Sequence, residues 1–328
     1  EETTLDLLTI VVGSGRGGLL DRIPGHNLER YALPEYLSRR RWFAGKSRRI
    51  VGIKLSTLGE FRDGVRSYVL GSVAVDLDGS EQQRYFQPLS IMWGSGIAQP
   101  GSPRLSSVIA KVRHGPRVGA LLDMAGEAEL AKALLRAVRD GATVETADGK
   151  IVCPSIGEPL AIDDDDEVRL IGAEQSNQSL IIGGKAVLKI YRRIRSGIQP
   201  ELEVSRFLSE VARFPNAPAL HGLVEHVEPD GATTALAAVL AFVPNQGDAW
   251  QVVVDALERQ LEDIALLTAA PDGRQGTADP AVDPWASRYS FPLDLASRLG
   301  QRTAALHKAL STPTDDPAFG WEPVRPAD

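Results

Sequence analysis

The stretch VRLIGAEQSNQSLIIGGKAVLKIYRR, residues 168–193, decides the fold. Residues 168–172 are apolar and β-branched, and the polar run AEQSN interrupts them at 173–177. Residues 179–182 resume the strand, Gly183-Gly184 offers a two-residue turn, and residues 185–191 run back. With the two-residue period of a strand, Lys189 shares a face with Val187 and Tyr191, while Leu188 and Ile190 take the other.

A lysine inside an apolar strand needs a fixed anion for its ammonium. In a nucleotide-binding lobe that anion is phosphate, and an acidic residue on the next helix steadies the lysine. Ile198-Gln199-Pro200 breaks the chain, and ELEVSRFLSEV at 201–211 follows, with Pro200 suited to a first helical turn. Leu202, Phe207, Leu208 and Val211 suit a buried stripe, which leaves Glu201 or Glu203 to meet Lys189. The plainer reading is an edge-strand lysine that snorkels above a solvated helix. On the hairpin alone the plainer reading is favoured, because a short motif is weak evidence.

Composition narrows the classes. A chain of 328 residues suggests about two domains, and 43% hydrophobic with 24% charged residues supports a packed core. A net charge of −7 disfavours a broad nucleic-acid surface. The lone Cys153 excludes an internal disulfide framework and a multi-cysteine metal site, and fits a reducing cytoplasm. No apolar run approaches the ~18 residues of a membrane span. The start lacks a methionine and a signal-like segment, and both ends read as cut from something longer.

Outward from the hairpin, residues 5–12 read as a buried strand followed by Gly13-Ser14-Gly15-Arg16-Gly17-Gly18. The match to G-x-G-x-x-G raises a dinucleotide site, which requires residues 5–36 to form a parallel βαβ unit. Pro24-Gly25 interrupts the helix such a unit needs, so a turn or linker is the better expectation. LPEYLSRRRWFAGK at 33–46 reads as a short helix, then arginines, with Trp42 and Phe43 anchoring it to a following sheet. Residues 50–93 predict antiparallel strands turning at Arg62-Asp63-Gly64 and Asp78-Gly79-Ser80. A strand is expected at 105–112, an amphipathic helix at 127–138, and a hairpin at 142–153 turning at Asp148-Gly149. The acidic run 163–167 lacks the alternation of a Ca²⁺ loop and reads as solvated. Beyond the 201–211 helix come a buried strand at 235–243, a helix at 250–267, a Pro/Gly/Asp-rich run at 271–284 and a helix at 291–310.

Three stretches together resemble bacterial maltokinases, including those fused behind trehalose synthase. LPEYL with RRRWFAGK is similar to their N-terminal cap. EQSNQSLIIGGKAVLKIYRRIRSGIQPELEVSRFL at 174–208 resembles their nucleotide-binding hairpin, lysine strand and helix. FVPNQGDAW at 242–250 resembles their interlobe hinge. The resemblance implies an α+β chain: a junction at 1–30, an antiparallel-sheet cap at 31–104, an intermediate and ATP-binding lobe at 105–243 of the aminoglycoside-phosphotransferase kind, and an incomplete helical C-lobe at 244–328. It implies transfer of the ATP γ-phosphate to maltose, giving maltose 1-phosphate, in the cytoplasm. Lys189 would hold the phosphates and Glu203, ahead of Glu201, would orient it. Ser176, Asn177 and Ser179 would lie in the phosphate-covering loop, and Ala241, Phe242 and Val243 would form the adenine hinge.

One departure bears on activity. The family's His-Gly-Asp catalytic segment and Asp-Phe-Glu-like metal segment are absent from this sequence. Phosphoryl transfer needs Mg²⁺ ligands and a positioned base besides the lysine. The expectation is therefore an N-terminal part of a maltokinase, inactive alone, whose Mg²⁺ ligands and catalytic residues lie beyond residue 328. The alternative is a non-catalytic binding or scaffolding module attached to a trehalose synthase domain or subunit.

Overall fold

The computed structural model describes residues 7–13, 19–64, 66–79, 81–171, 176–245, 247–269 and 290–320. They divide into two units, Glu1–Arg206 with Pro218–Phe242, and Phe207–Ala217 with Val243–Asp328. The chain is α+β, and its described strands lie in two seven-stranded sheets.

The first unit opens with β1 (Thr9–Val11), the short helices α1 (Gly25–Asn27) and α2 (Leu33–Ser38), then β2 (Ile50–Asp63), β3 (Arg66–Leu77) and β4 (Glu81–Trp93). These three long strands form the expected antiparallel meander, joined edge to edge in the order β4-β3-β2. The sheet runs past residue 104, through β5 (Val108–His114) and β6 (Arg117–Asp123). The strand expected at 105–112 thus begins later, after a tight turn at Leu105–Ser107. Strand β1 pairs in parallel with β5, Thr9 opposite Lys111. Its parallel neighbour lies about a hundred residues downstream, and the described residues of 5–36 form no βαβ unit. The glycine motif itself falls almost wholly outside the described residues.

One face of this sheet is closed by the α1–α2 segment. Leu28, Ala32, Leu33, Tyr36 and Leu37 bury against Val69, Val73, Leu89 and Leu121. The spacing 28, 32, 33, 36, 37 is the i, i+4, i+5 stripe of a helix covering one apolar surface. Phe43 anchors the following chain, its ring 5.3 Å from that of Tyr85.

Helix α3 (Ala128–Arg139) lies in the other core. Its buried Leu130, Leu134 and Val138 share a cluster with Tyr68, Leu70 and Phe86 of the first sheet and with Leu180, Leu188 and Ile190 of the second. The second sheet holds β7 (Thr143–Thr146), β8 (Gly149–Val152), β9 (Val168–Leu170), β10 (Asn177–Ile182), β11 (Ala186–Tyr191), β13 (Leu220–Val227) and β14 (Thr233–Ala241). Their order is β7-β8-β13-β14-β11-β10-β9, antiparallel throughout. Ile182 pairs Ala186, so the turn spans three residues and takes in Lys185. Gly183 and Gly184 hold positive φ of 57° and 63°, a conformation that strains any residue with a Cβ. Past Tyr191 the chain leaves this sheet: β12 (Arg193–Ile194) pairs β4 of the first. Helix α4 (Pro200–Arg206) follows.

The second unit contains α5 (Ala249–Ala269) and α6 (Ser290–Leu310). Within it Phe207 stacks on Phe319 with ring centroids 3.9 Å apart. The run at 271–284 lies outside the described residues. No helix among the described residues is long and apolar enough to cross a membrane.

Candidate functional site

Strand β11 runs between β14 and β10, so Lys189 sits on an interior strand and not at an edge. Its register partners are Ser179 and Ala238, both buried. The alternation read from the sequence places Leu188 and Ile190 in the α3 core, at 0% exposure, and leaves Lys189 on the opposite face.

There the ammonium meets a carboxylate. Lys189 Nζ donates to Glu201 Oε1 at 2.7 Å, with the lysine side chain 18% exposed and the glutamate 40%. Tyr191 Oη, two residues along the same face, donates to Glu201 Oε2 at 3.3 Å. Both carboxylate oxygens are thus engaged by the lysine strand. Helix α4 is started by Gln199, whose Oε1 accepts from Glu201 N–H at 2.6 Å and whose carbonyl accepts from Leu202 and Glu203. Leu202 buries its side chain at 6% exposure and so fixes the rotation of the helix.

The steadying carboxylate is therefore Glu201, and the expectation for Glu203 is corrected. Two residues along a helix is about 200° around its axis. With Leu202 turned inward and Glu201 toward β11, Glu203 faces another way. A second correction concerns the loop. Asn177 and Ser179 are strand residues of β10, paired with Tyr191 and Lys189, and only Ser176 stays outside the strand. Ser179 is 1% exposed. Residues 172–175, which separate β9 from β10 in the sequence, lie outside the described residues.

Ala241 closes β14, its N–H donating to Ala219 O at 2.8 Å, and Phe242 N–H donates to Lys185 O at 2.9 Å. Both amide donors of this part of the expected hinge are spent on the sheet. Val243 falls in the second unit. Beside the Lys189 face a cavity of about 210 Å³ opens between Tyr191, Ile194, Ile198, Gln199 and Ala235. Among the described residues, no group of three or more His, Cys, Asp or Glu side chains converges to hold a metal ion.

One residue past Tyr191 lies a constellation that periodicity does not single out. Arg192 is 0% exposed. Its guanidinium forms a fork on Asp123 at 2.5 and 3.1 Å, reaches Gln87 Oε1 at 3.2 Å, and lies 3.9 Å over the ring of Trp42. Tyr36 Oη donates to the same Asp123 carboxylate at 2.7 Å, and Arg192 O accepts from Phe86 N–H at 2.7 Å. Burial alone would raise the Asp123 carboxyl, but the Arg192 charge and hydrogen bonds more than offset it, and the carboxyl is held below its usual range. Burial, reinforced by the Asp123 charge, drives the Tyr36 hydroxyl well above its ordinary value, so it stays a neutral donor. Trp42 of the RWFAGK motif thus serves as the lid on a buried arginine, beyond anchoring the helix. The one sequence signal for this was a second basic residue directly after the strand, in Tyr191-Arg192-Arg193.

No family model matches the sequence. Among solved structures, the chain is similar to a glucosamine kinase in complex with glucosamine, ADP and inorganic phosphate, at 18% identity over 85% of this chain and 51% of that one, TM-score 0.45. Two further crystal forms of glucosamine kinase match at 17% identity over 85% of this chain, with 52% and 51% of theirs covered and TM-scores of 0.43 and 0.47. The chain spans about half the length of these structures.

Proposed function

We propose that this chain is the cap and nucleotide-binding part of an ATP-dependent sugar kinase. The carrying observation is the interior-strand ammonium of Lys189 held at 2.7 Å by Glu201 on the following helix. Kinase lobes use this pairing to present a lysine to the α- and β-phosphates. Lys189 would meet a phosphate oxygen while Glu201 keeps its ammonium aimed, and Tyr191 keeps Glu201 in place. Ser176 would lie in the part of the chain that covers the phosphates. A base along the end of β14 would be met by the carbonyls of Ala241 and Phe242. Mg²⁺, when bound with the nucleotide, would supply charge neutralisation to the phosphates. Among the described residues, no cluster of three His, Cys, Asp or Glu side chains is placed to hold it.

Maltose is the acceptor this reading favours, on the strength of the RRRWFAGK and FVPNQGDAW stretches. A trehalose synthase domain or subunit is the partner it suggests. The decisive experiment is titration of wild type and Lys189→Ala with ATP in the presence of Mg²⁺. Loss of a charge-assisted contact to phosphate should weaken binding at least about tenfold. Equal affinity in both proteins would remove the nucleotide role and leave the binding-module reading.

A further inference from the structure

The first unit carries a second, larger cavity of about 610 Å³, on the first sheet. Its walls come from the start of β3 (Arg66, Ser67), the end of β4 (Ser90–Trp93), the β5–β6 turn (His114, Arg117) and the segment after β1 (Leu19, Arg22). The size lies within the about 300–1,000 Å³ of small-molecule sites. Three strands end or turn here, so their side chains converge.

The electrostatics run against the rest of the chain. The net charge is −7, yet the described lining holds three arginines and a histidine and no Asp or Glu. Folding contacts account for only part of this charge. Arg66 pairs with Glu129 at 2.9 Å, but that carboxylate also serves Arg104 at 2.6 Å. Arg22 Nε donates to a neutral acceptor, Gly13 O, at 3.1 Å. Arg117 lies 4.7 Å over the Trp93 ring, which holds the guanidinium plane while its N–H edge keeps the geometry of an oxyanion fork. Ile91, Met92, Trp93 and Met124 give the same cavity an apolar side.

We propose that this cavity binds a phosphomonoester on a ring-sized body, the class of a sugar phosphate. Arg117 and Arg22 take the phosphate dianion, and the Trp93–Met92 side packs the ring. A bare anion would not need the apolar half, and a neutral sugar would not need the arginines. The site is independent of Lys189.

Calorimetric titration of the whole chain with glucose 6-phosphate, with inorganic phosphate and with maltose tests this. The expected result is saturable binding of glucose 6-phosphate, at least about tenfold weaker in Arg117→Gln and in Arg22→Gln, as loss of one charge-assisted contact implies. Lys189→Ala should bind it as wild type does, which separates this site from the nucleotide reading. In the wild-type protein glucose 6-phosphate should also protect Arg117 from phenylglyoxal, a readout that needs no variant to fold. Absent binding, unchanged affinity in both arginine variants, unprotected Arg117, or equally tight binding of inorganic phosphate or maltose would overturn the proposal.

Discussion

At the scale of single residues, the Lys189–Glu201–Tyr191 contact separates two neighbouring carboxylates that the sequence leaves equivalent. Glu201 accepts from both Lys189 and Tyr191, whereas Glu203 stands about 200° further round the helix. Hydrogen bonds to charged groups are worth about 1.5–3 kcal/mol, so Glu201→Ala should weaken ATP binding about tenfold through a misaimed ammonium. Glu203→Ala should leave it within about twofold. A fluorescence or calorimetric titration of both variants decides the matter, and an equal loss in both would return the assignment to chance. Period-2 alternation reports which face of the strand Lys189 takes. Alternation does not say which glutamate contacts Lys189, since that depends on the rotation of α4, which the burial of Leu202 sets.

At the scale of elements, the β10–β11 hairpin was legible and its exit was not. Gly183-Gly184 between apolar runs is a local signal, and its two positive φ angles are its structural cause. A Cβ added at Gly184 would meet nothing within 4 Å, so Gly184→Ala should cost only the left-handed backbone penalty, about 1–2 kcal/mol. A Cβ on Gly183 would stand 2.5 Å from Asp166 Oδ1, a side chain that also pairs with Lys185 at 2.8 Å. Gly183→Ala should therefore lower the urea midpoint further than Gly184→Ala; the reverse order would show that the turn is not built this way. By contrast, nothing local marks β12 as a partner of β4, or β1 as a partner of β5. Those pairings join residues about a hundred positions apart and are chosen by packing, which is also why the first sheet runs on past residue 104.

At the scale of the molecule, the two sheets of the first unit meet at a buried ion pair. Strand β11 belongs to the second sheet, Arg192 directly follows it, and Asp123 ends β6 of the first. Taking one charge away leaves the other buried without compensation, which costs about 3–5 kcal/mol. Asp123→Asn and Arg192→Met should each destabilise the first unit by about that amount at pH 7. An apolar replacement of both, Asp123→Leu with Arg192→Met, should recover most of the loss, because the pair's attraction largely offsets its own desolvation. The pH dependence has a definite sign. Asp123 is held below its unfolded value of about 3.9, so its contribution is complete above that value and fades as pH falls through the lower, folded one. The gap between wild type and Asp123→Asn, followed by urea unfolding, should therefore be constant from neutral pH to about pH 5 and narrow below about pH 4. Single variants that cost less than about 1 kcal/mol, or a gap that widens in acid, would mean that the ion pair does not hold the two sheets together. A double variant no more stable than either single one would instead show that the Trp42-capped arginine is needed for its shape as well as its charge.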